Sequence, residues 1–392
     1  MNNYYVYSGD IEVLKNNWHR FVYGLNYSLE SVDSTGLANV SANATADWLR
    51  VGMGARNIEA NSILAYTLTR AISLSHAVGD TSLVATWQQY YDNIVTAANK
   101  LLWDDAAGLY FDNQTTTLHP QDGNVWAIIS GVASGDRATT ISNALHARWG
   151  TFGAPAPEAG TTVSPFITGL ELQAHFIAGQ PEYAIALMEY MYGHFMLDDP
   201  RMTNSTYIEG YDISGRLHYP AYQDDARISH AHGWSTGPLI ALSQYAAGLH
   251  VQNATSWLVQ PQPGNLTMID CGFTTALGTF SANFSSQGGH VSYTFQTPPG
   301  TSGTVVLSGV SGSIKSSNGT TIQLSGGKAE NVPGGNWTLV ATGNSSTLGG
   351  SNGTSSGGSG SPSASSTPYT GSASTASASM LALVVAVFAL LA

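Results

Sequence analysis

Eight stretches of helical periodicity are joined by connections that are short in some places and long in others, and this pattern restricts the fold more than any other feature of the chain. Ile11, Leu14, Trp18, Val22, Leu25 and Leu29 recur every three or four positions behind Asp10, a suitable N-cap, and predict a helix over 11–30. Residues 57–77 are apolar nearly all round and stop at Gly79, the pattern of a helix buried on several sides. Residues 81–101 carry one stripe, with Val84, Trp87, Tyr91 and Ile94 on it. Further helices are expected over 122–132, 136–149, 164–178, 181–195 and 236–248. Ser164-Pro165 opens the third of these with an N-cap and a proline at the first helical position.

Gly79-Asp80 and Gly179-Gln180 leave room only for antiparallel helix pairs, whereas other connections are long, polar and rich in rings and acids. Repeated hairpins with one set of elaborate loops predict a mainly α architecture over residues 1–250. It is an α/α toroid whose site lies on one rim; an irregular all-α domain is the alternative. No internal sequence repeat is visible. Trp103 to Asp112 reads as a short hairpin with its acids in turns.

After Leu249 the periodicity shortens. Short runs rich in Thr, Val and aromatic residues, separated by Pro-Pro-Gly, Asn-Gly-Thr and Pro-Gly-Gly, predict a small antiparallel β-sandwich over 251–345. Residues 346–379 are a Gly/Ser/Thr-rich linker, and 380–392 are wholly apolar.

Charge excludes some functions. There are 13 basic and 25 acidic residues, a net charge of −12, which argues against a nucleic-acid partner. A sparsely charged, ring-bearing chain suits a neutral ligand such as carbohydrate. The single cysteine, Cys271, permits no intrachain disulfide and reads as a small buried apolar residue. His218, His230 and His232 have no carboxylate at familiar metal spacing, so no metal site is expected. There is no Gly-x-Ser-x-Gly elbow, no cofactor is expected, and oligomeric state is not legible.

Asn-x-Ser/Thr occurs at many positions, among them Asn26, Asn113, Asn204, Asn283 and Asn336, a density that favours a glycoprotein of the secretory pathway. The apolar end behind a small-residue spacer fits a GPI-attachment signal, with attachment among Ser363, Ser365, Ser366, Gly371 and Ser372. The expected location is therefore the extracellular cell surface, with a lipid anchor as the sole membrane contact. Residues 1–5 have neither a basic nor an apolar leader, so an upstream segment is expected.

The chemistry concentrates in Asn204-Ser205-Thr206-Tyr207-Ile208-Glu209-Gly210-Tyr211-Asp212, which sets Glu209 between Tyr207 and Tyr211. Rings cover the apolar face of a pyranose and a carboxylate activates water or the anomeric carbon. A solvated loop acid beside two tyrosines is the plainer alternative. A second cluster follows at Ser229-His230-Ala231-His232-Gly233-Trp234. A third, Ala46-Asp47-Trp48-Leu49, offers a stacking ring beside an acid, or simply an N-cap and a packed tryptophan.

Taken in order, these motifs resemble the six-hairpin domain of α-L-rhamnosidases, most closely fungal rhamnosidase-like proteins. They are Asp-Trp, Ser-Pro-Phe-Ile-Thr-Gly, Ser-Thr-Tyr-Ile-Glu-Gly-Tyr and His-Gly-Trp-Ser-Thr-Gly-Pro. The β-rich segment is similar to that family's C-terminal domain. The resemblance covers about residues 1–345 and is most specific from Ser164 to Pro238.

It implies that Glu209 is the general base of an inverting glycosidase, with Ile208 where bacterial members carry Trp. It makes Asp47, Trp48, Tyr207, Tyr211, His232 and Trp234 sugar-binding candidates and implies a terminal α-L-rhamnoside as substrate. The family's general acid lies upstream of a segment like Tyr7-Ser8-Gly9-Asp10, and its toroid has twelve helices. The resemblance therefore implies an incomplete toroid and a poor hydrolase in this chain alone. A non-catalytic surface glycan-binding or wall protein, or a six-hairpin glycosidase for another sugar, is the alternative.

Overall fold

The structure, a computed structural model, describes residues 1–41, 47–50, 52, 54–220, 222–287 and 290–341. The linker over 346–379 and the apolar tail over 380–392 lie outside the described residues. Among the described residues no helix is long and apolar enough to cross a membrane.

Among the described residues nine helices precede the main sheets: α1 (Asn2–Ser8), α2 (Ile11–Leu29), α3 (Ile58–Val78), α4 (Val84–Leu101), α5 (Gln121–Ile129), α6 (Asp136–His146), α7 (Pro165–Ile177), α8 (Pro181–Leu187, continued in wider turns over Met188–Phe195) and α9 (Gly237–Ile240, continued over Ala241–Ala246). Their starts follow local chemistry. The Asp10 carboxylate accepts from the Val13 N–H at 3.0 Å and the Asn57 side chain from the Ala60 N–H at 3.0 Å. The Ser164 hydroxyl accepts from the Ile167 N–H at 3.5 Å. α5 begins behind Pro120, which has no side-chain acceptor. Glu158 takes that role from a distance, accepting from the backbone N–H groups of Gln121 and Asp122 at 2.8 and 2.9 Å.

The helices form two layers. α3, α5, α7 and α9 pack each on the next, while α4, α6 and α8 lie outside them. Sequence pattern assigns the layers: α4 buries one stripe containing Trp87, Ile94 and Ala98, whereas α5 buries seven of its nine residues. α7 and α9 approach so closely that a Cβ added at Gly169 would lie 2.9 Å from the Cα of Gly237. Only glycine fits at that crossing. α1 joins the far end, where Gln244 Nε2 donates to the Tyr7 hydroxyl at 2.9 Å. The outward faces of α2 and α9 leave Tyr23, Tyr27, Leu239, Ile240 and Leu242 exposed.

Connections alternate with the layers. Those entering inner helices are long (30–57, 102–120, 147–164 and 196–236), and those entering outer helices are short (79–83, 130–135 and 178–180). Two pairs of two-residue strands brace the long ones: β1 (Trp103–Asp104) with β2 (Leu109–Tyr110), and β3 (Thr162–Val163) with β4 (Tyr211–Asp212). The acids expected in turns at the β1–β2 hairpin divide. Asp104 accepts from the turn N–H of Ala106 and Asp105 from the Trp103 indole. Asp112 is instead buried in an ion-pair network.

The main sheets begin at Leu249. Strands β5 (Leu249–Val251), β6 (Ser256–Val259), β7 (Met268–Thr275), β8 (Gly278–Gln287), β9 (His290–Gln296), β10 (Ser302–Val306), β11 (Gly312–Ser316), β12 (Thr321–Gln323), β13 (Lys328–Pro333) and β14 (Asn336–Ala341) form two sheets. Their orders are β13-β10-β6-β5 and β12-β11-β14-β9-β8-β7. Trp257, Phe280, Phe284, Tyr293, Phe295 and Trp337 fill the core of this region. One pairing departs from the antiparallel expectation: β6 and β10 run parallel, Ser256 opposite Ser302 through Val259 opposite Val305. The Tyr293 hydroxyl donates to the Ala247 carbonyl at 2.7 Å and ties the sandwich to the end of α9.

Candidate active site

Glu209 lies in the long connection before α9, and that connection is held from both sides. The Glu209 N–H donates to the Ser229 carbonyl at 2.8 Å, and the His232 N–H donates to the Tyr207 carbonyl at 2.9 Å. The Trp234 indole donates to the Glu209 carbonyl at 3.0 Å, and the Ser235 hydroxyl to the Ile208 carbonyl at 2.7 Å. A Cβ on Gly210 would sit 2.1 Å from the Tyr219 ring, so glycine lets that ring pack under the loop. Gly210 and the buried Ile208 thus set the backbone, and Glu209 between them turns inward, 3% exposed.

Its carboxylate oxygens have separate partners. Oε1 accepts from the Tyr222 hydroxyl at 2.6 Å, and Oε2 accepts from the Ser229 N–H at 3.1 Å. His232 Nδ1 is 3.7 Å from Oε2, and the His232 side chain is 29% exposed. Glu209 in turn holds the Tyr222 phenol above its ordinary value, chiefly through that hydrogen bond, so the phenol stays a donor.

The sequence-derived candidates divide. Glu209, His232 and Trp234 come together. Trp234 acts through the backbone and stacks on Phe166 at 5.4 Å. Tyr207 is half-buried and meets the edge of Tyr192. Tyr211 is fully buried in β4, its hydroxyl donating to the Phe152 carbonyl at 2.6 Å and its ring against Phe195. It cannot be a sugar platform. The motif Tyr-Ile-Glu-Gly-Tyr does not set two rings on either side of the acid, because Tyr211 enters a strand whose partner, Val163, is also core. Tyr222 takes the place next to Glu209 and was not foreseen. Its only sequence signal is that it is an aromatic residue in the same long connection.

Asp47 and Trp48 belong to a second acidic cluster. Asp47 is exposed and accepts from the Trp48 N–H, while the Trp48 indole donates to Asp122 at 3.3 Å. Behind it Arg50, 2% exposed, donates through Nη1 to both oxygens of Asp122 at 2.9 Å and through Nη2 to Asp112 at 2.8 Å. Asn57 also donates to Asp112, at 2.9 Å. Glu59 lies 3.8 Å from Arg50 and beside Asp122, the carboxyl with which its own interacts. Burial, with Asp122 and Asp47 nearby, pushes Glu59 up to about 10, so it is neutral at ordinary pH. Burial and Asp122 likewise push Glu158 up to about 8.

Arg50, Glu59, Asp112 and Asp122 were not foreseen as a network. The one hint was an arginine two positions after Asp-Trp in a chain poor in cations. The next residue along from Trp48, Leu49, packs against the apolar core that also holds Ile208. Glu59 and Asp122 occupy the first turns of α3 and α5, which places both clusters at the end where inner helices begin. No group of three or more His, Cys, Asp or Glu among the described residues is arranged to hold a metal ion.

Residues 1–235 match the family model for the bacterial α-L-rhamnosidase six-hairpin glycosidase domain, and residues 255–321 that for the bacterial α-L-rhamnosidase C-terminal domain. Solved structures of similar fold include a GH78 family rhamnosidase from a Bacillus species, at 21% identity and a TM-score of 0.58 over 74% of this chain and 30% of that one. The α-L-rhamnosidase of Streptomyces avermitilis complexed with L-rhamnose is 16% identical, with a TM-score of 0.62 over 86% and 31%. That of Aspergillus terreus is 15% identical, with a TM-score of 0.56 over 83% and 37%. This chain thus spans about a third of the length of these structures. Among curated proteins, none matches it by sequence.

Proposed function

The chain belongs to the α-L-rhamnosidase six-hairpin glycosidase family, and we propose that Glu209 is the general base in an inverting hydrolysis of terminal α-L-rhamnosyl residues. The observation that carries this is the seating of Glu209: buried, each oxygen held by a separate donor, and beside a half-exposed histidine. In the proposed step Glu209 takes a proton from water as the water oxygen bonds to the anomeric carbon. The bond to the leaving oxygen breaks on the opposite face, and that oxygen takes a proton from a general acid. Inversion requires the two carboxyls to stand about 6.5–9.5 Å apart. The resemblance puts the acid upstream of Tyr7, and Glu59, fully buried, is not a substitute. His232 contacts the sugar, while Tyr222 and Trp234 hold the base.

The test is hydrolysis of an aryl α-L-rhamnoside by the chain and by an upstream-extended form, each with and without Glu209→Gln. Activity in the extended form, reduced by about 10²–10⁴-fold in the variant, is the expected result. Undiminished turnover by the variant would remove Glu209 from the mechanism. Binding of rhamnoside without turnover in either form would favour the non-catalytic alternative.

A cell-surface location, N-glycosylation and a GPI anchor complete the proposal, supported by the density of Asn-x-Ser/Thr and by the apolar end. Release of the protein from cells by a phosphatidylinositol-specific phospholipase is expected. A mature protein that keeps Leu391, read by mass spectrometry, would contradict the anchor.

A further inference from the structure

Tyr222 bonds the Glu209 carboxylate from an arch of chain whose crown is exposed. The arch starts at Tyr219 and ends at Ser229, and both ends sit on the Glu209 stretch. Tyr219 is buried, with its ring against Gly210. Ser229 accepts from the Glu209 N–H at 2.8 Å and donates to its Oε2 at 3.1 Å. Between these ends, residues 223–227 stand exposed. The backbone bonds of the arch are single turns. The Tyr222 N–H donates to the Tyr219 carbonyl at 2.8 Å, and the Ile228 N–H to the Asp225 carbonyl at 3.1 Å. Each turn holds its own residues, and neither joins the limb before Tyr222 to the limb after it.

A side-chain contact does join them. His218 Nδ1 lies 2.7 Å from Asp225 Oδ1, seven positions on. Among the described residues no other hydrogen bond or ion pair connects the two limbs. The pair spans Tyr222, which follows His218 by four positions and precedes Asp225 by three. Rings and charge constrain the Tyr222 side chain as well: the Arg227 guanidinium is 5.6 Å from its ring centre, and the Tyr219 ring is also 5.6 Å away. These contacts set the tilt of the ring. The reach of its hydroxyl toward Oε1 depends on how far the arch is spread.

Closing a short loop costs conformational entropy, and a bond across its neck meets that cost before substrate arrives. We propose that His218 and Asp225 are positioning residues, a clasp that closes the arch and so presents the Tyr222 hydroxyl to Glu209. The catalytic half of this inference rests on the reading of Glu209 as the general base.

Fluorine NMR on the full chain tests the positioning without turnover. With 3-fluorotyrosine placed at position 222 alone, Glu209→Gln should shift the resonance, because it changes the acceptor at Oε1. Asp225→Ala and His218→Ala should shift or broaden it too. Asp225→Asn keeps an acceptor for Nδ1 and should leave it near that of the parent. A resonance indifferent to Asp225→Ala overturns the clasp. The second readout is hydrolysis of an aryl α-L-rhamnoside by the extended form. There Asp225→Ala should lower kcat about two- to fivefold with KM unchanged, and Asp225→Asn should restore most of the loss. The melting curve should hold, since an exposed pair adds little to stability. In a Tyr222→Phe background, Asp225→Ala should lower kcat no further, because the hydroxyl it positions is gone. An undiminished loss in that background, or a rise in KM alone, overturns the proposal. If Glu209→Gln keeps full turnover, the base assignment falls, and the fluorine result still decides the clasp.

Discussion

Glu209 reaches its place from a loop, whereas Glu59 and Asp122 sit in the first turns of two inner helices, and the contrast explains why one acid is suited to chemistry and the others to architecture. The helix-borne acids surround a single buried guanidinium, Arg50, which uses Nη1 and Nη2 to hold Asp122 and Asp112. Glu59, left over, is kept neutral by burial. Glu209 has no fixed cation. Its partners are a phenol, a backbone N–H and, further off, an imidazole that reaches solvent. A carboxylate held by donors alone is not tied up in an ion pair. A carboxylate paired to a buried arginine is committed to the fold.

Replacing the cation gives the largest expected effect. Arg50→Met strands Asp112 and Asp122 in the interior, and losing one partner of a buried pair costs about 3–5 kcal/mol. Urea unfolding should show it. Glu209→Gln, by contrast, keeps an acceptor for only one of its two donors and should cost about 1–3 kcal/mol, less than Arg50→Met, while lowering turnover of the extended form by about 10²–10⁴-fold. A reversal, with Glu209→Gln the more destabilising and Arg50→Met silent, would mean that the two clusters have exchanged roles.

Gly210→Ala comes next in size and tests how far the Glu209 loop depends on backbone fit. Its new methyl would meet the Tyr219 ring at 2.1 Å. Such overpacking costs about 1–3 kcal/mol. Because Gly210 adjoins Glu209, turnover in the extended form should fall more than stability alone explains. A wild-type melt together with wild-type turnover would show that the loop adapts freely.

Asp10 and Ser164 cap where expected, and apolar periodicity made the other long helices legible. The rim was legible because long and short connections alternate. Three features were not. The start of α5 depends on Glu158, some 36 residues downstream of the N–H groups it caps, and no local pattern announces that. The Arg50 network joins residues up to 72 positions apart. Tyr211 stands in an aromatic motif beside the acid, yet strand pairing turns it into the core, and Tyr222, 13 residues after Glu209, bonds the carboxylate instead. Local spacing reports caps and periodicity, whereas these contacts depend on which loops meet at the rim.

Glu59 sharpens the comparison through pH. Its folded value is raised from 4.5 to about 10, so the folded chain holds a proton that the unfolded chain has released. That contribution to stability is fully present below about pH 4.5 and is lost as pH rises toward 10. Glu59→Gln mimics the neutral acid and has no proton to lose. Between pH 6 and 9 its melting temperature should fall less than that of the parent. The difference should be some fraction of the roughly 1.4 kcal/mol per pH unit that one whole proton carries. Parallel melting curves for parent and variant would mean that Glu59 is ionised in the fold.

The smallest expected effect probes the donor side of the comparison. Tyr222→Phe removes one hydroxyl and leaves the ring that packs at 5.6 Å from Tyr219. The Tyr222 side chain is half-buried and Glu209 keeps its bond to the Ser229 N–H. The structural loss is therefore one hydrogen bond that water can replace at this half-exposed site, about 1 kcal/mol or less. Turnover is the more sensitive readout, since Oε1 is then free to rotate away from the attacking water. A drop of about tenfold in kcat for the extended form, with KM nearly unchanged, is the signature of a positioning residue. A rise in KM with kcat intact would instead place the Tyr222 hydroxyl on the substrate, and the base would be held by Ser229 and the loop backbone alone.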